Sequence, residues 1–292
     1  MSPVGQGMTS IFKPARISQL AKRVASTVTQ RLRFSKLLRR NEDSIEFEEF
    51  VRRSELQPPV FVYQMGKVAS TSIFESLNRQ YDGKVLHAHT FGAFHASADV
   101  RALYRYHQST SSPIKIITLV REPVTRNLSA FFQNFRRDTG QSVEECDLSA
   151  VELKRKFMSN YPHEIPLVWF DNNLRKHFQI DVYDYPFPDC GHLRMSNQQV
   201  EVLLMRHDLA NSLKEELVGE FVDLKEFQLK DYNVGAEKQY AHLYAKLQQA
   251  KLPLKHLYYL ASSKYMHHFF HSDMREIIYS WSDEPINNNK AG

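Results

Sequence analysis

The stretch Val60–Ser72, VFVYQMGKVASTS, constrains this chain more than any other. Val60, Phe61, Val62 and Tyr63 are β-branched or aromatic and read as a short buried strand. Gly66 allows a tight turn with close backbone approach. Lys67 follows, and Ser70, Thr71 and Ser72 stand where a helix should begin, with Ile73, Phe74 and Leu77 supplying its apolar spacing. A strand, a turn bearing one lysine and a hydroxyl-rich helix start make a phosphate cradle. Free N–H groups and the helix dipole favour an anion there, and the lysine adds a mobile point charge. The spacing is not that of a Walker A loop, which sets a glycine, four intervening residues and then Gly-Lys. Phe61 occupies the place of the first glycine. A Ser/Thr-started helix with a merely solvated Lys67 would carry the same letters.

A second element lies about fifty residues on. Ile114–Val120 (IKIITLV) reads as a buried strand. Arg121 ends it, and Pro123 suits the first turn of a helix running to about Arg137. Arg126 and Ser129 stand three apart on that helix, so they share a face. Arg121 at the strand end and Ser129 two turns later could grip one phosphate, the arginine with its planar fork and the serine with a hydroxyl. An Arg-rich exposed helix is the plainer alternative. Between the two elements, Asp82-Gly83 marks a turn and Lys84–His89 (KVLHAH) reads as another strand. His87 and His89 share one face at its carboxyl end, where open α/β sheets bind ligands.

Length and charge bound the remainder. The chain of 292 residues is long enough for one large α/β domain. The net charge of +5 is uneven: residues 1–40 hold nine Lys/Arg and no Asp or Glu, so +5 less nine leaves −4 for the rest. The high pI is therefore poor support for nucleic-acid binding by the body of the chain, and no nucleic-acid partner is expected. Residues 1–57 read as a basic N-terminal arm and linker, partly disordered, ending at Pro58-Pro59. A basic amphipathic arm over residues 1–40 can lie on an anionic membrane, and its acid-poor composition also resembles a transit peptide. A solvated terminus is the preferred reading. No apolar run is long enough to span a membrane, so a cytoplasmic location, with peripheral membrane contact through the arm as an addition, is expected. Cys146 and Cys190 make neither a disulfide framework nor a zinc motif, and read as packed apolar groups in a reducing compartment.

Further along, Asp181–Tyr185 reads as a short strand, Val200–Met205 as a core strand, and Asn233–Leu247 as an amphipathic helix capped by Asn233. Arg206-His207-Asp208-Leu209 follows the core strand and reads either as a substrate loop or as an ion pair closing the next helix. His267, His268 and His271 have helical spacing that suits a metal, but no acidic partner accompanies them, and an aromatic helix face is the preferred reading. Residues 286–292 read as a disordered tail.

GKVASTS resembles the 5′-phosphosulfate loop of sulfotransferases that use 3′-phosphoadenosine-5′-phosphosulfate (PAPS), above all the Lys-Thr-Ala-Ser-Thr-Ser loop of glycan 2-O-sulfotransferases. The Arg-x-Pro-x-x-Arg-x-x-Ser pattern at 121–129 resembles the 3′-phosphate element of that family, in the family's order, and Arg206–Leu209 has a form seen after a late strand in its members. WFDNNLRKHFQIDVYDYPF and NVGAEKQYAHLY resemble the bacterial sulfotransferase-like capsular polysaccharide synthesis proteins, so the likeness covers residues 58–282. It implies, over residues 58–285, a P-loop-like three-layer α/β fold with a central, mostly parallel sheet flanked by helices. It also implies PAPS as sulfate donor and a carbohydrate hydroxyl as acceptor, with no metal needed.

On this reading Gly66, Lys67, Val68, Ala69, Ser70, Thr71 and Ser72 hold the 5′-phosphate, while Arg121 and Ser129, with Arg126 as a weaker contact, hold the 3′-phosphate. Lys67 neutralises the leaving phosphate. His89 is the expected base for the acceptor hydroxyl, because a histidine titrates near neutrality, and His87 supports the acceptor. The competing readings are a P-loop-like ATP-dependent kinase and a non-catalytic nucleotide- or glycan-binding protein. The acceptor's identity and the oligomeric state are not legible in the letters.

Overall fold

A computed structural model describes residues 47–91, 97–110, 112–230 and 240–282. The arm at 1–40, the cap at Asn233 and the tail at 286–292 lie outside the described residues. The compact unit that carries the site begins at Phe50, ahead of Pro58. Residues 50–56 are helical, and the buried Phe50 meets the Tyr106 ring edge-on.

The fold is α/β. Five strands, β1 (Val60–Tyr63), β2 (Val85–Ala88), β3 (Ile114–Val120), β4 (His192–Ser196) and β5 (Val200–Arg206), form one sheet in the order β2-β1-β3-β5-β4. Four of them run parallel, and β4 closes one edge antiparallel to β5. Every residue of β1 and β3 is buried, as helices covering a parallel sheet require. Lys115 is the one charged side chain in those two strands. It stays buried because its ammonium donates to the Phe221 carbonyl at 2.5 Å.

Helices fill the intervals: α1 (Ser70–Gln80), α2 (Ala98–Ser109), α3 (Pro123–Gln133), α4 (Phe135–Thr139), α5 (Ala150–Asn160) and α6 (Ile165–Phe170). Pro166 sits in the first turn of α6, where a proline lacks an N–H that would be unpaired anyway. That helix runs on through a π turn, Asp171–Arg175, to a last turn, Lys176–Phe178. The π turn is tied to the sheet: the Tyr63 hydroxyl donates to Asn173 Oδ1 at 2.5 Å. Then come α7 (Asn211–Val222), α8 (Ala241–Gln249), α9 (Leu254–Ala261), α10 (Lys264–Phe269) and α11 (Met274–Trp281).

Two sequence expectations give way. Asp181–Tyr185 is not a strand: Val182–Asp184 is a 3-10 turn, because the Asp181 carboxylate accepts the Tyr183 N–H and curls the chain. The cysteines are not buried packing groups: Cys146 is half-buried and Cys190 exposed, both free. Among the described residues, no helix is long and apolar enough to cross a membrane.

Candidate functional site

Parallel strands bring their carboxyl ends to one edge of the sheet. The loop after β1 (Gln64–Ala69), His89 after β2, Arg121 after β3 and His207 after β5 therefore gather there. The chain leaves β1 for β2 on one side and finds β3 on the other, so a switch point opens between β1 and β3, the usual ligand crevice of such sheets.

The loop is strained in a specific way. Lys67 (φ 71°) and Ala69 (φ 62°) are left-handed, whereas Gly66 is not among the residues of positive φ. The freedom expected of Gly66 is thus not what turns the chain, and no close approach requires it, since a Cβ there would meet the His89 ring at ordinary contact distance. A Cβ on Gly66 would lie 3.6 Å from His89 Nε2. Two left-handed non-glycine residues cost on the order of 1 kcal/mol or more each. Two guanidinium groups oppose that cost. Arg126 Nε donates to the Gly66 carbonyl at 2.9 Å, and Arg121 Nη1 donates to the Lys67 carbonyl at 3.2 Å. In trans peptides the N–H points opposite the C=O, so the N–H groups of Lys67 and Val68 face away from these arginines. Val68 is fully buried and anchors the loop.

The N-terminus of α1 can receive an anion, as any helix start with exposed N–H groups can. Its cap residue, Ala69, offers no side-chain hydrogen bond. Other helix starts vary: Glu122 accepts the Val124 and Thr125 N–H groups and Ser149 and Glu152 form a capping box, whereas α4, α6, α7, α8, α9 and α11, like α1, have no side-chain cap. The hydroxyls of the first turn differ among themselves. Ser70 is buried and its Oγ lies 3.0 Å from His87 Nε2, so that hydroxyl is engaged within the protein, while Thr71 and Ser72 are half-buried.

The two histidines divide. His87 Nε2 lies between Ser70 Oγ and, at 3.3 Å, the Gln64 amide nitrogen; its ring stacks on Phe74. Burial, aided by the neighbouring His89, pushes its pKa down to about 4. His87 Nε2, expected beside the acceptor, is engaged with Ser70 and Gln64. His89 Nδ1 lies 3.1 Å from the Gln64 carbonyl. A carbonyl only accepts, so Nδ1 carries the proton and Nε2 keeps its lone pair, facing Gly66. Burial lowers the His89 pKa, and the charges of Arg126 and Lys67 lower it further against the Gln64 contact. The imidazole is neutral near pH 7, with its basic nitrogen at the loop.

Arg121 is half-buried. Its Nε donates to Thr125 Oγ1 at 3.0 Å, and its backbone is clamped by one phenol: the Tyr265 hydroxyl accepts the Arg121 N–H and donates to its carbonyl. Its Nη2 has no partner among the described residues. Ser129 lies on α3, only 3% exposed, and no hydrogen bond joins it to Arg121. Arg126 departs from its expected place at a phosphate. It is 5% exposed and spends Nη1 on Tyr161 (2.7 Å) and Asn127 (3.0 Å). Within Arg206–Leu209, Arg206 pairs with Asp208 at 2.7 Å and reaches Asp273, which is the ion-pair reading of that segment.

A groove of about 350 Å³ opens beside His89, lined among others by Thr90, Phe91, Trp169, Asn172, Lys176 and His177. The Trp169 indole donates to the His89 carbonyl at 2.8 Å, so the groove wall and the histidine are one piece. Gln64, Tyr161, Trp169 and Tyr265 escaped the sequence reading. Only Gln64 carried a signal, its place between the strand and Gly66; the others come from helices or loops far along the chain. Among the described residues, no cluster of three or more His, Cys, Asp or Glu side chains is arranged for a metal, and His267, His268 and His271 form none.

Compared with protein families, curated proteins and solved structures, the chain matches none.

Proposed function

We propose that this protein is a PAPS-dependent sulfotransferase of P-loop-like α/β fold, acting on a carbohydrate hydroxyl. One observation carries the reading: Lys67, an uncapped helix start, Arg121 and a neutral His89 with a fixed tautomer converge at a single switch point. The donor's 5′-phosphate would lie on the N–H groups at the start of α1, with Thr71 and Ser72. Its 3′-phosphate would meet Arg121 through the Nη2 edge, beside Ser129. The acceptor would enter the groove at Thr90 and Trp169. His89 Nε2 takes the hydroxyl proton as the acceptor oxygen bonds to sulfur. The bond from sulfur to the bridging oxygen breaks, and Lys67 balances the charge left on the departing adenosine 3′,5′-bisphosphate. A sulfuryl group needs positioning and charge compensation more than covalent help, and a cationic crevice would supply both.

The test is transfer of labelled sulfate from PAPS to a glycan panel, beside thermal shifts with adenosine 3′,5′-bisphosphate and with ATP–Mg²⁺. Label transfer, with stabilisation by the bisphosphate above that by ATP–Mg²⁺, is expected. Preference for ATP–Mg²⁺ would favour the kinase; binding without transfer to any acceptor would favour a non-catalytic binder.

A further inference from the structure

We infer that His207 is a third group of the anion clamp at Arg121 and binds the nucleotide's 3′-phosphate as the imidazolium. This rests on the donor site proposed above. The β3–β5 register ends at Val120 opposite Arg206, so the next rung sets His207 beside Arg121. The rung is real: the His207 N–H donates to the Val120 carbonyl at 2.8 Å. Its Nδ1 is buried with no hydrogen-bond partner. A buried ring nitrogen left unpaired is costly; His107, His163, His256 and His268 also keep one, and the place beside Arg121 is what sets His207 apart.

The groups around His207 set its charge and its response to an anion. Arg121 faces His207 from β3. Lys214 on α7 donates to the His207 carbonyl at 2.5 Å. Arg206 and Asp208 flank it in sequence and pair with each other, Arg206 also pairing with Asp273. The Tyr265 hydroxyl is spent on the Arg121 backbone. Burial and then the Arg121 charge hold the His207 pKa down to about 4, with Lys214 and Arg206 adding to the effect and Asp208 opposing it. A phosphate dianion beside Arg121 reverses this balance. It cancels the repulsion and gives a protonated ring an acceptor. The site should then take up a proton as it binds.

Calorimetry of adenosine 3′,5′-bisphosphate binding to the full chain at pH 6.5, in two buffers of different ionisation enthalpy, reads that proton. Wild type should take up close to one proton more than His207→Gln, and its affinity should weaken at least several-fold from pH 6 to pH 8 while the variant's profile stays flatter. Adenosine 5′-monophosphate should give no difference between the two proteins. Ring ¹⁵N shifts of His207 in the wild type, moving to imidazolium values on bisphosphate binding, give the same answer without a variant. Bisphosphate binding with equal proton uptake, or with His207 still neutral by its shifts, overturns this inference alone. A wild-type protein that does not bind the bisphosphate overturns the donor site and this inference with it.

Discussion

Arg126 Nε stands 2.9 Å from the Gly66 carbonyl, while its Nη1 reaches the Tyr161 hydroxyl at 2.7 Å. One buried guanidinium thus joins the cradle loop to the segment after α5. Asn127 extends the tie, accepting from Arg126 and donating to the His163 carbonyl. The left-handed Lys67 depends on such supports, since nothing in its own covalent structure favours that conformation.

Arg126→Lys should therefore unfold more easily and bind nucleotide less well, although the Arg126 guanidinium is spent on Gly66, Asn127 and Tyr161 and not kept for the 3′-phosphate. A compact ammonium on a shorter reach cannot serve Gly66, Asn127 and Tyr161 together. The loss should be about 2–4 kcal/mol in urea denaturation, the scale for hydrogen bonds of a buried charge. A variant with wild-type stability and affinity would remove Arg126 from the loop's support.

Arg121→Ala should weaken adenosine 3′,5′-bisphosphate binding at least tenfold more than 5′-monophosphate binding. On the proposed reading the Nη2 edge, without a partner among the described residues, would meet the 3′-phosphate. The Nη1 contact with the Lys67 carbonyl predicts a smaller loss for the monophosphate as well. Equal losses in calorimetry would mean that Arg121 acts only by bracing the loop.

Stability should fall in mild acid. His87, His207 and His256 have folded pKa values of about 4, each lowered first by burial, against an ordinary value of 6.5. The unfolded chain binds more protons between those values, so stability is full above about pH 6.5 and is lost progressively as pH falls toward 4. The His256 ring meets His163 at 4.3 Å, and His163 is itself lowered by burial. His256→Gln should flatten the pH dependence of the urea midpoint by close to one proton. An unchanged slope would show that His256 is exposed enough to charge freely in the folded protein.

How far the letters reached depends on the range of the interaction. The strands at Val60 and Ile114 were legible because both are unbroken apolar runs, and α1 because its apolar spacing follows its hydroxyls. The edge strand β4 was not: HLRMS alternates polar and apolar residues over only five positions, with no β-branched or aromatic residue, and is specified by β5, its partner across a short turn. The positions of Lys67, His89 and Arg121 at one edge follow from parallel strands alone. Their roles diverge through tertiary contacts that no local pattern holds. His87 and His89 look alike in HAH, yet one faces Ser70 and the other Gly66. Arg126 fits a phosphate motif by spacing, and is buried because the Gly66 carbonyl, Asn127 and Tyr161, the first sixty and the last thirty-five residues away, supply acceptors.

Lys67 and His89 should fail differently. Lys67→Ala should abolish turnover while leaving product nucleotide binding largely intact, because the α1 N–H groups and Arg121 still hold the phosphates. A charge needed mainly in the transition state appears in kcat. His89→Ala should lose acceptor sulfation but keep the slow hydrolysis of donor without acceptor, which Lys67→Ala also loses. The wild-type rate should fall in acid as His89 Nε2 is protonated. Because burial and the nearby cations lower its pKa, that limb should lie below the ordinary histidine value, with a flat profile through neutrality. His89→Ala should lack the limb, and its deficit should shrink at high pH as the hydroxyl ionises unaided. Single-turnover kinetics of both variants, with and without acceptor, from acid to alkaline pH, separate the two roles. Wild-type transfer by His89→Ala would move the base elsewhere, and Glu122 is a poor substitute because both its oxygens cap α3. Wild-type turnover by Lys67→Ala would remove the charge on which the sulfuryl-transfer reading of GKVASTS depends.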